Sequence, residues 1–332
     1  MKVLFLLSKR QPPSSRLRMA NCIDGYRKAG VECTILPIQS GIFGRIAIIR
    51  LAKRHDIVLI QKKTSFKSFE LKLLQKANPR IIFDFDDAVM FHELEHHKPF
   101  VGKHFVKFIR TINHCAAVVA GNEFLASFSR PNCPDVRIMP TPVDLNYNFV
   151  KTHDLSNTGE LLVGWLGVNG NLHYLDELAP VFQKLVKKYP NFRLKIVSND
   201  FIDITGVPIV KELWSLDGEA AALRSMDVGI MPLNNSLWAQ GKCGYKLLQY
   251  MSAGVPVVAS PVGINQEFIQ QGVNGFLATD HEQWFQALSK LLDDASLRRD
   301  YGLAGRAMVE EKYSQERYEA KYLALFNDLL SR

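Results

Sequence analysis

Two lysines in the second half of the sequence have a spacing that suits an anion-binding site. Lys242 and Lys246 are followed by Gln249, and on a helix Lys246 and Gln249 share one face. Gly241 and Gly244 allow a tight turn with exposed amide groups, just before residues that favour a helix. Lysines and free amides at a helix start attract phosphate groups, and the distance of about 10 Å from Lys242 to Gln249 suits a diphosphate followed by a ribose. The alternative is that both lysines lie on an ordinary solvated face.

The residues that follow this turn read KLLQYMSAGVPVVASPVGINQE, from Lys246 to Glu267. The segment resembles the donor-binding segment of the GT-B glycosyltransferases of family 4, with its glycines and its first proline in register. The resemblance implies a nucleotide-sugar donor site made of Gly167, Asn169, Lys242, Cys243, Gly244, Lys246, Gln249 and Glu267. It also implies catalytic roles for Lys246, which would stabilise the leaving diphosphate, and for Glu267, which would orient the sugar. The alternatives are a plain helix-terminal carboxylate for Glu267 and a small filler for Cys243.

The sequence departs from the family pattern in its carboxylates and in one basic segment. Where the family often has two glutamates spaced as E-x7-E, this chain has Gly241 and Gln249. The amide of Gln249 can donate to and accept from a ribose hydroxyl, whereas Gly241 supplies no carboxylate for the sugar. The family's basic residues after the first strand of the second domain are replaced by WLGVNGN. The diphosphate would therefore depend on the two lysines and on backbone amides near Gly167.

An acidic group closes the predicted strand Arg80–Phe85. It comprises Asp84, Asp86 and Asp87, and the alternation of side chains along a strand places Asp84 and Asp86 on one face. By resemblance, Asp86 occupies the position where the family places a histidine beside the reacting centre. Its carboxylate could accept the proton of the acceptor hydroxyl as a general base. The alternatives are that these carboxylates bind a cation or hold a loop.

Polar residues after two other predicted strands are candidates for acceptor or phosphate contacts. The candidates are Ser15, Arg16, Arg18 and Asn122. Two arginines after a Pro-Pro-Ser-Ser turn suit a phosphate group, because each guanidinium presents a planar fork of donors. Solvation of exposed arginines is the alternative. His92, His96 and His97 lie among mixed charges beside a proline, which favours a mobile loop over a metal site.

Buried apolar runs alternate with helical segments along the sequence. The predicted strands are Lys2–Leu7, Glu32–Ile38, Ile57–Ile60, Arg80–Phe85, Ala117–Ala120, Val136–Met139, Leu161–Leu166, Arg193–Val197, Val228–Met231, Val255–Ala259 and Phe276–Ala278. This alternation predicts an α/β chain with doubly wound parallel sheets, and a proline-rich stretch predicts a linker between residues 1–153 and 154–332. The resemblance implies a GT-B fold: two Rossmann-like domains facing a cleft, the first for the acceptor and the second for the donor. The last helix would pack back on the first domain.

Size and cysteine usage restrict the class of protein. The 332 residues, 47% hydrophobic and 22% charged, suit two globular domains. The five cysteines are odd in number and scattered, which favours reduced thiols in the cytoplasm. The N-terminal apolar run is too short for a signal peptide, and no stretch of about 18 apolar residues is present, so any membrane contact is expected to be peripheral.

The positive charge lies in the first half of the chain. Residues 1–153 carry 24 Lys and Arg against 12 Asp and Glu, a net charge of +12, and residues 154–332 carry 17 against 21, a net charge of −4. Two helical stretches, Ile42–Arg54 and Lys98–Arg110, combine basic residues with apolar residues at helical spacing. They predict contact with an anionic membrane surface at the inner face or with a lipid-linked acceptor, and ordinary packing of amphipathic helices is the alternative.

These features lead to one expected function and three alternatives. We expect a metal-independent glycosyltransferase without a cofactor. It would move a sugar from a nucleotide diphosphate to a glycan or lipid-linked acceptor, with the retention that the resemblance implies, in cell-surface polysaccharide or glycoconjugate synthesis. The alternatives are a non-catalytic nucleotide-sugar-binding protein and a metal-dependent transferase using Asp84 and Asp86. A nucleic-acid binder is the third, but no recognised binding motif accompanies the charge.

Overall fold

A computed structural model describes residues 1–8, 13–38, 41–91, 102–146, 150–153 and 159–332. These residues form two compact units. The first unit contains Met1–Pro142, Ser236–Cys243 and Gln315–Arg332, and the second contains Val143–Asn235 and Gly244–Ser314. Whereas the sequence analysis divides the chain after residue 153, the structure adds two short segments of the second half to the first unit. The three histidines at positions 92, 96 and 97 lie outside the described residues.

Each unit is built on a parallel sheet. The strands are β1 Lys2–Leu7, β2 Glu32–Pro37, β3 Ile57–Gln61, β4 Ile81–Phe85, β5 Ala117–Ala120, β6 Val136–Ile138, β7 Leu161–Leu166, β8 Phe192–Ser198, β9 Ile209–Leu213, β10 Val228–Met231, β11 Val257–Ala259 and β12 Gly275–Leu277. Within the described residues, the strand order is β2-β1-β3-β4-β5-β6 in the first unit and β12-β11-β10-β7-β8-β9 in the second. The strand pairs are all parallel, which confirms the predicted α/β class.

Helices connect the strands. They are α1 Pro13–Arg18, α2 Ile23–Lys28, α3 Ile42–Ala52, α4 Ser68–Ala77, α5 Lys103–Ile112, α6 Glu123–Ser129, α7 His173–Asp176, α8 Ala179–Lys188, α9 Glu219–Arg224, α10 Leu237–Gln240, α11 Tyr245–Ser252, α12 Asn265–Phe268, α13 His281–Asp293, α14 Ala295–Lys312 and α15 Gln315–Ser331, with 3₁₀ turns at Ala20–Cys22 and Asn169–Asn171. From the sequence alone, residues 16–29, which are followed by Gly30, predict a single helix; this is wrong, because the structure has α1, the first 3₁₀ turn and α2 there. The first of these helices begins earlier, at Pro13, because the fixed φ of proline suits a first helical position.

The apolar runs become strands because both faces of each sheet are covered. In β1, Leu4 and Leu6 join one buried cluster while Val3, Phe5 and Leu7 join another on the opposite face. The second cluster includes apolar and aromatic residues of α15, so the C-terminal helix is part of the core of the first unit. In the second unit, α11 buries its apolar side chains in the cluster that also contains β11.

The strand orders locate the edges where ligands bind in such sheets. In the first unit, β2 lies on one side of β1 and β3 to β6 follow on the other side, so the strand order reverses between β1 and β3. In the second unit, β8 and β9 lie on one side of β7 and β10 to β12 follow on the other side, so the order reverses between β7 and β10. Loops that leave the carboxyl ends of the strands at such a switch point diverge and leave a crevice between them. Candidate ligand-binding residues are therefore expected at the carboxyl edge of each sheet.

Candidate functional site

The carboxyl end of β7 holds Lys246 against an aromatic ring. The Nζ atom of Lys246 lies 4.3 Å from the centre of the Trp165 ring. A Cβ atom at Gly167 would lie 2.5 Å from that ring and 2.6 Å from the Lys246 Nζ, so a side chain there would displace the ammonium group. The ring attracts the cation and fixes its position without neutralising its charge. The predicted donor residues Gly167 and Lys246 are thus brought together.

The turn before α11 requires a glycine. Gly244 has a φ of 61°, in the left-handed region, and a Cβ atom there would lie 2.8 Å from the ring of Phe268. From this turn the helix runs past β7, where the hydroxyl of Tyr250 accepts a hydrogen bond of 2.8 Å from the backbone amide of Leu166. The position of Lys246 beside the end of β7 therefore follows from the glycine turn and from this bond.

Gln249 is buried and hydrogen-bonded to a residue that the sequence analysis did not select. Its side chain is only 3% exposed, and its Nε2 donates to Glu219 Oε1 at 2.7 Å. The indole Nε1 of Trp214 donates to the other oxygen of the same carboxylate, also at 2.7 Å. The sequence predicts that Gln249 offers its amide to a ribose hydroxyl; one of its two amide hydrogens is bonded to Glu219, and the ribose contact stays a prediction. Thirty residues separate Glu219 from Gln249, so spacing gave no signal; the available clue was that a buried glutamine needs a partner.

The other two donor candidates of the second unit are more exposed. Asn169 lies on the 3₁₀ turn after β7, and its Oδ1 accepts a hydrogen bond of 2.8 Å from the amide of Gly170. Glu267 is exposed on α12. Burial raises the pKa of Tyr313, and the charge of Glu267 raises it further, which places these two side chains near each other. Both candidates lie in loops or short helices that follow strands of this sheet.

In the first unit, Arg18 is a core residue. Its side chain is fully buried, and its Nε and Nη2 bond to the two carboxylate oxygens of Asp84 at 2.9 and 2.5 Å. Its Nη1 donates to the carbonyl of Met139, and the hydroxyl of Tyr322 donates to Asp84 at 2.6 Å. The expected phosphate contact of Arg18 is therefore corrected, because its guanidinium is used inside the protein.

Two further acceptor candidates also have internal partners. Ser15 is fully buried and donates to Gln61 Oε1 at 2.6 Å. Asn122 accepts from the amide of Leu125 at the start of α6, and its Nδ2 donates to the carbonyls of Gln240 and Lys242 at 3.1 and 3.0 Å. These contacts make Ser15 and Asn122 positioning residues rather than exposed ligand contacts. Arg16 lies on α1 with a half-buried side chain.

Cys243 follows the same pattern. Its Sγ donates to the backbone carbonyl of Asp86 at 2.8 Å, and a Cβ atom at Gly121 would lie 2.1 Å from that sulfur. Burial raises the pKa of the Cys243 thiol well above its ordinary value, and the charge of Asp86 raises it further. The residue is therefore a protonated thiol that fills the space between two strand ends, as the alternative for Cys243 had it, and a direct donor contact is corrected.

Asp86 lies in a charge cluster with a lysine that the sequence analysis missed. The Nζ of Lys62 is 3.1 Å from Asp86 Oδ1 and also forms an ion pair with Asp87. Burial lowers the pKa of Lys62, but the two carboxylates raise it more, so it stays well above its ordinary value and the lysine remains charged. Lys62 has a φ of 59°, which is uncommon for a residue with a side chain and is typical of functional positions.

Lys242 belongs to the same cluster. Burial and the neighbouring Asp86 raise the pKa of Asp87, while the charges of Lys62 and Lys242 oppose this rise. Lys242 thus lies near Asp87 in the first unit, whereas Lys246 belongs to the second. The sequence predicts one anion site for the two lysines, whereas the structure gives them different surroundings.

The aspartates do not have the arrangement of a metal site. Both oxygens of Asp84 are already bonded, to Arg18 and to Tyr322. Across the described ranges, three or more His, Cys, Asp or Glu residues are nowhere grouped so that they could hold a metal ion. The alternative that relies on Asp84 and Asp86 as metal ligands is therefore poorly matched by these contacts, and metal independence stays a prediction.

Comparisons with known proteins support the resemblance. Residues 161–294 match the family described as glycosyl transferases group 1, which confirms the resemblance over that segment. An uncharacterised glycosyltransferase of Methanocaldococcus jannaschii is 24% identical over 178 residues, which are 51% of this chain and 44% of that protein. The capsular polysaccharide biosynthesis glycosyltransferase CapM of Staphylococcus aureus is 23% identical over 192 residues, 54% of this chain and 49% of CapM. The matched segments span less than half of each of these two relatives.

A solved structure extends the similarity to nearly the whole chain. Anabaena HepE, crystallised in complex with UDP and glucose, superposes with a TM-score of 0.72 at 14% identity, covering 99% of this chain and 100% of the HepE chain. Similarity at this level of identity concerns the fold. The predicted GT-B fold class is confirmed.

Proposed function

We propose that this chain, whose residues 161–294 belong to the glycosyl transferases group 1 family, transfers a sugar from a nucleotide diphosphate to a glycan or lipid-linked acceptor. One observation carries the proposal: Lys246 is fixed at the switch point of the second sheet, over Trp165 and against Gly167. A fixed cation at the switch point suits the diphosphate of a sugar donor. The diphosphate is bound as an anion, and it gains further negative charge when its bond to the sugar breaks.

In this proposal Lys246 contacts the diphosphate. When the bond between the sugar and the diphosphate breaks, negative charge builds up on the leaving oxygen, and a preplaced ammonium group stabilises it. Because the Trp165 ring holds the ammonium group before the ligand arrives, little reorganisation is needed during the reaction. Glu267, exposed on α12, is the proposed contact for the donor sugar.

In the first unit, Asp86 is the proposed contact for the acceptor. Its carboxylate is held near Lys62, whose Nζ lies 3.1 Å from Asp86 Oδ1. A carboxylate with a fixed orientation can accept a hydrogen bond from an attacking hydroxyl and take its proton. Replacement of Asp86 by asparagine keeps the shape and removes the proton acceptor. Loss of turnover with intact donor binding would support this role, and unchanged turnover would exclude it.

The donor can be identified by a binding screen. Thermal shifts of the purified protein against a panel of UDP-, GDP-, ADP- and CDP-sugars are expected to select one base and one sugar. The selected donor should then be consumed, either with an acceptor or by slow hydrolysis. Binding without any consumption, with acceptor glycans and lipid extracts supplied, would favour the non-catalytic alternative.

We further propose that the reaction needs no metal ion. Lys246 can counter the charge of the diphosphate in place of a cation. Turnover of the selected donor is expected to survive exhaustive treatment with EDTA. Abolition by EDTA and recovery with Mg²⁺ or Mn²⁺ would contradict this and give the acidic group after β4 the role of a metal site.

A surface of the first unit favours an acceptor at a membrane. We define the apolar patch as five exposed side chains on α3 and α4: Ile42, Phe43, Ile46, Phe69 and Leu73. Phe43 is the most exposed of them, at 86%. The exposed basic residues Arg50, Lys53 and Arg54 lie at the other end of α3 and just beyond it. Among the residues that the structure describes, no helix is both long and apolar enough to cross a membrane. An apolar patch beside basic residues suits peripheral contact with an anionic lipid surface.

One basic residue of the stretch Ile42–Arg54 does not belong to this surface. Arg45 is buried: its Nε lies 3.6 Å from Glu70 Oε1, and its guanidinium lies 3.9 Å from the centre of the Phe66 ring. It therefore joins α3 to α4 and does not face lipid. Phe69 and Leu73 of α4 lie outside the two stretches predicted from the sequence, and only the fold brings α4 beside α3.

Sedimentation with vesicles tests the membrane contact. The protein is expected to sediment with anionic but not with neutral vesicles at low salt, because each basic residue near the surface contributes about 1 kcal/mol. Replacing Arg50, Lys53 and Arg54 by glutamate should weaken this binding. The matched control replaces Lys184, Lys187 and Lys188 of α8 by glutamate, which changes the net charge equally and should preserve binding. Equal effects of both triple variants, or no binding to either vesicle, would contradict a membrane surface on α3.

A further inference from the structure

A carboxylate at the carboxyl edge of the second sheet is held on both of its oxygens. Trp214 Nε1 donates to Glu219 Oε2, and Gln249 Nε2 donates to Glu219 Oε1, both at 2.7 Å. We propose that Glu219, positioned by Trp214 and Gln249, binds the two neighbouring hydroxyls of the ribose of a nucleotide. This assignment depends on the proposed function, because it concerns the nucleotide half of the same donor.

The position of Glu219 suits a nucleotide whose phosphates lie at Lys246. Glu219 begins α9, which follows β9, while Gln249 lies on α11, which follows β10. The carboxylate therefore lies where segments from both sides of the switch point meet. Lys246 precedes Gln249 by three residues on α11, a rise of about 4.5 Å along the helix. In a nucleoside diphosphate the ribose follows the phosphates directly, so adjacent contacts along one helix match the order of the ligand.

The chemistry of the carboxylate suits a pair of hydroxyls. An ionised carboxylate has about four acceptor positions, and the indole and the amide occupy two of them. The two that remain can accept one hydrogen bond each from two neighbouring hydroxyls. Both donors are neutral, and hydrogen bonds from hydroxyls to a carboxylate are stronger than bonds between neutral groups. Gln249 itself gives one of its two amide hydrogens to Glu219, which ties its side chain to the carboxylate.

The two donors also fix the carboxylate before a ligand binds. Gln249 is buried, and its helix packs into the core, so its amide is a rigid partner. A side chain that is already fixed loses less conformational freedom on binding, which increases affinity. Trp214 and Gln249 are thus positioning residues, and Glu219 is the group that would touch the ligand.

A purely structural role is the competing explanation. The three side chains could simply join α9 to α11 and to the segment after β9. In that case replacing Glu219 would weaken the binding of all nucleotides by the same factor, because it would disturb the site as a whole. A role in binding hydroxyls predicts instead that the loss depends on whether the hydroxyls are present.

Calorimetric binding of nucleoside diphosphates separates the two explanations. UDP, GDP and ADP are titrated into the protein, and the tightest is compared with its 2′-deoxy and 3′-deoxy forms. For the wild-type protein, removal of one hydroxyl is expected to weaken binding about tenfold, as loss of a hydrogen bond to a charged group does. Glu219→Gln should weaken binding of the ribonucleotide and bring the ratio between ribo and deoxy forms close to one. Trp214→Phe keeps an aromatic side chain but removes the N–H donor. It should give a ratio of ribo to deoxy affinities between those of the wild-type protein and Glu219→Gln.

A matched control comes from a glutamate and glutamine pair on the surface of the same unit. Gln286 Nε2 donates to Glu282 Oε1 at 3.0 Å, and Glu282→Gln should leave both affinity and ratio unchanged. The assignment is overturned if the wild-type protein binds ribo and deoxy forms equally, or if Glu219→Gln retains the full ratio. If Glu219→Gln does not fold, the assignment is contradicted when Trp214→Phe has the same ratio of ribo to deoxy affinities as the wild-type protein. If none of the three binds, CDP is titrated as well, and absence of binding by all four nucleoside diphosphates overturns the proposed function itself.

Discussion

The charged residues at the carboxyl ends of the two sheets differ in their partners. In the first unit, Arg18 is paired with Asp84, and Lys62 with Asp86 and Asp87, so charges of opposite sign largely neutralise each other. In the second unit, Lys246 lies against an aromatic ring, and Glu219 accepts hydrogen bonds from an indole and an amide. Neutral groups fix a charge without cancelling it. The first edge therefore pairs charges of opposite sign, whereas the contacts described for Lys246 and Glu219 at the second edge are with neutral aromatic and amide groups.

The largest effect is expected from breaking the buried pair of the first unit. Arg18→Leu leaves Asp84 uncompensated in the core, which typically costs about 3–5 kcal/mol of unfolding free energy. The midpoint of chemical denaturation should fall accordingly. The control is Arg130→Leu, which breaks an exposed ion pair with Glu123 and should leave the midpoint nearly unchanged. Normal stability of Arg18→Leu with lost turnover would instead restore the phosphate contact expected from the sequence.

The next effect concerns the cation of the second unit. Lys246→Ala should lower turnover by roughly two to three orders of magnitude, because a charge that stabilises the transition state is lost. Its stability should change little. Lys290→Ala is the matched control, since that lysine also lies over an aromatic ring, with its Nζ 5.4 Å from the centre of the Phe276 ring. Turnover near the wild-type value in Lys246→Ala would remove this lysine from the site.

A smaller effect is expected from moving the same cation. Gly167→Ala places a methyl group against both Trp165 and Lys246 Nζ, so the ammonium group has to shift. Displacement of a catalytic group by about 1 Å can cost up to 10²-fold in rate, and we expect a loss between tenfold and that limit. Gly170→Ala is the control, because a Cβ atom there has no atom within 4 Å in the described structure. Equal rates for both variants would show that the ring and glycine do not position the lysine.

Most of the strands and the α/β class of both units could be predicted from the sequence. Strands buried on both faces are continuous apolar runs, so β1, β3 and β7 could be read directly, and both α/β sheets followed from the alternation with helices. The strand β9 is not among the predicted strands, because Lys211 and Glu212 interrupt its apolar character. The glycine turn at Gly244 could also be predicted, since few other residues tolerate its backbone conformation.

The partners of the polar residues could not be predicted in the same way. Arg18 meets Asp84 across 66 positions and Gln249 meets Glu219 across 30 positions, and no periodicity relates residues so far apart. Arg18 resembled a surface phosphate ligand because it follows a Pro-Pro-Ser-Ser turn and a second arginine, although its side chain is buried in the core. Lys62 was missed for the same reason, since only the fold brings it to Asp86.

The central claim is that the second unit binds the diphosphate of a nucleotide through Lys246, and calorimetry tests it most directly. Wild-type protein and Lys246→Met are titrated with the preferred nucleoside diphosphate and with the nucleoside that lacks phosphates. The wild-type protein should bind the diphosphate at least about tenfold more tightly than the nucleoside, as a charge-assisted contact implies, and Lys246→Met should lose most of that difference. An undiminished difference in Lys246→Met would contradict the account.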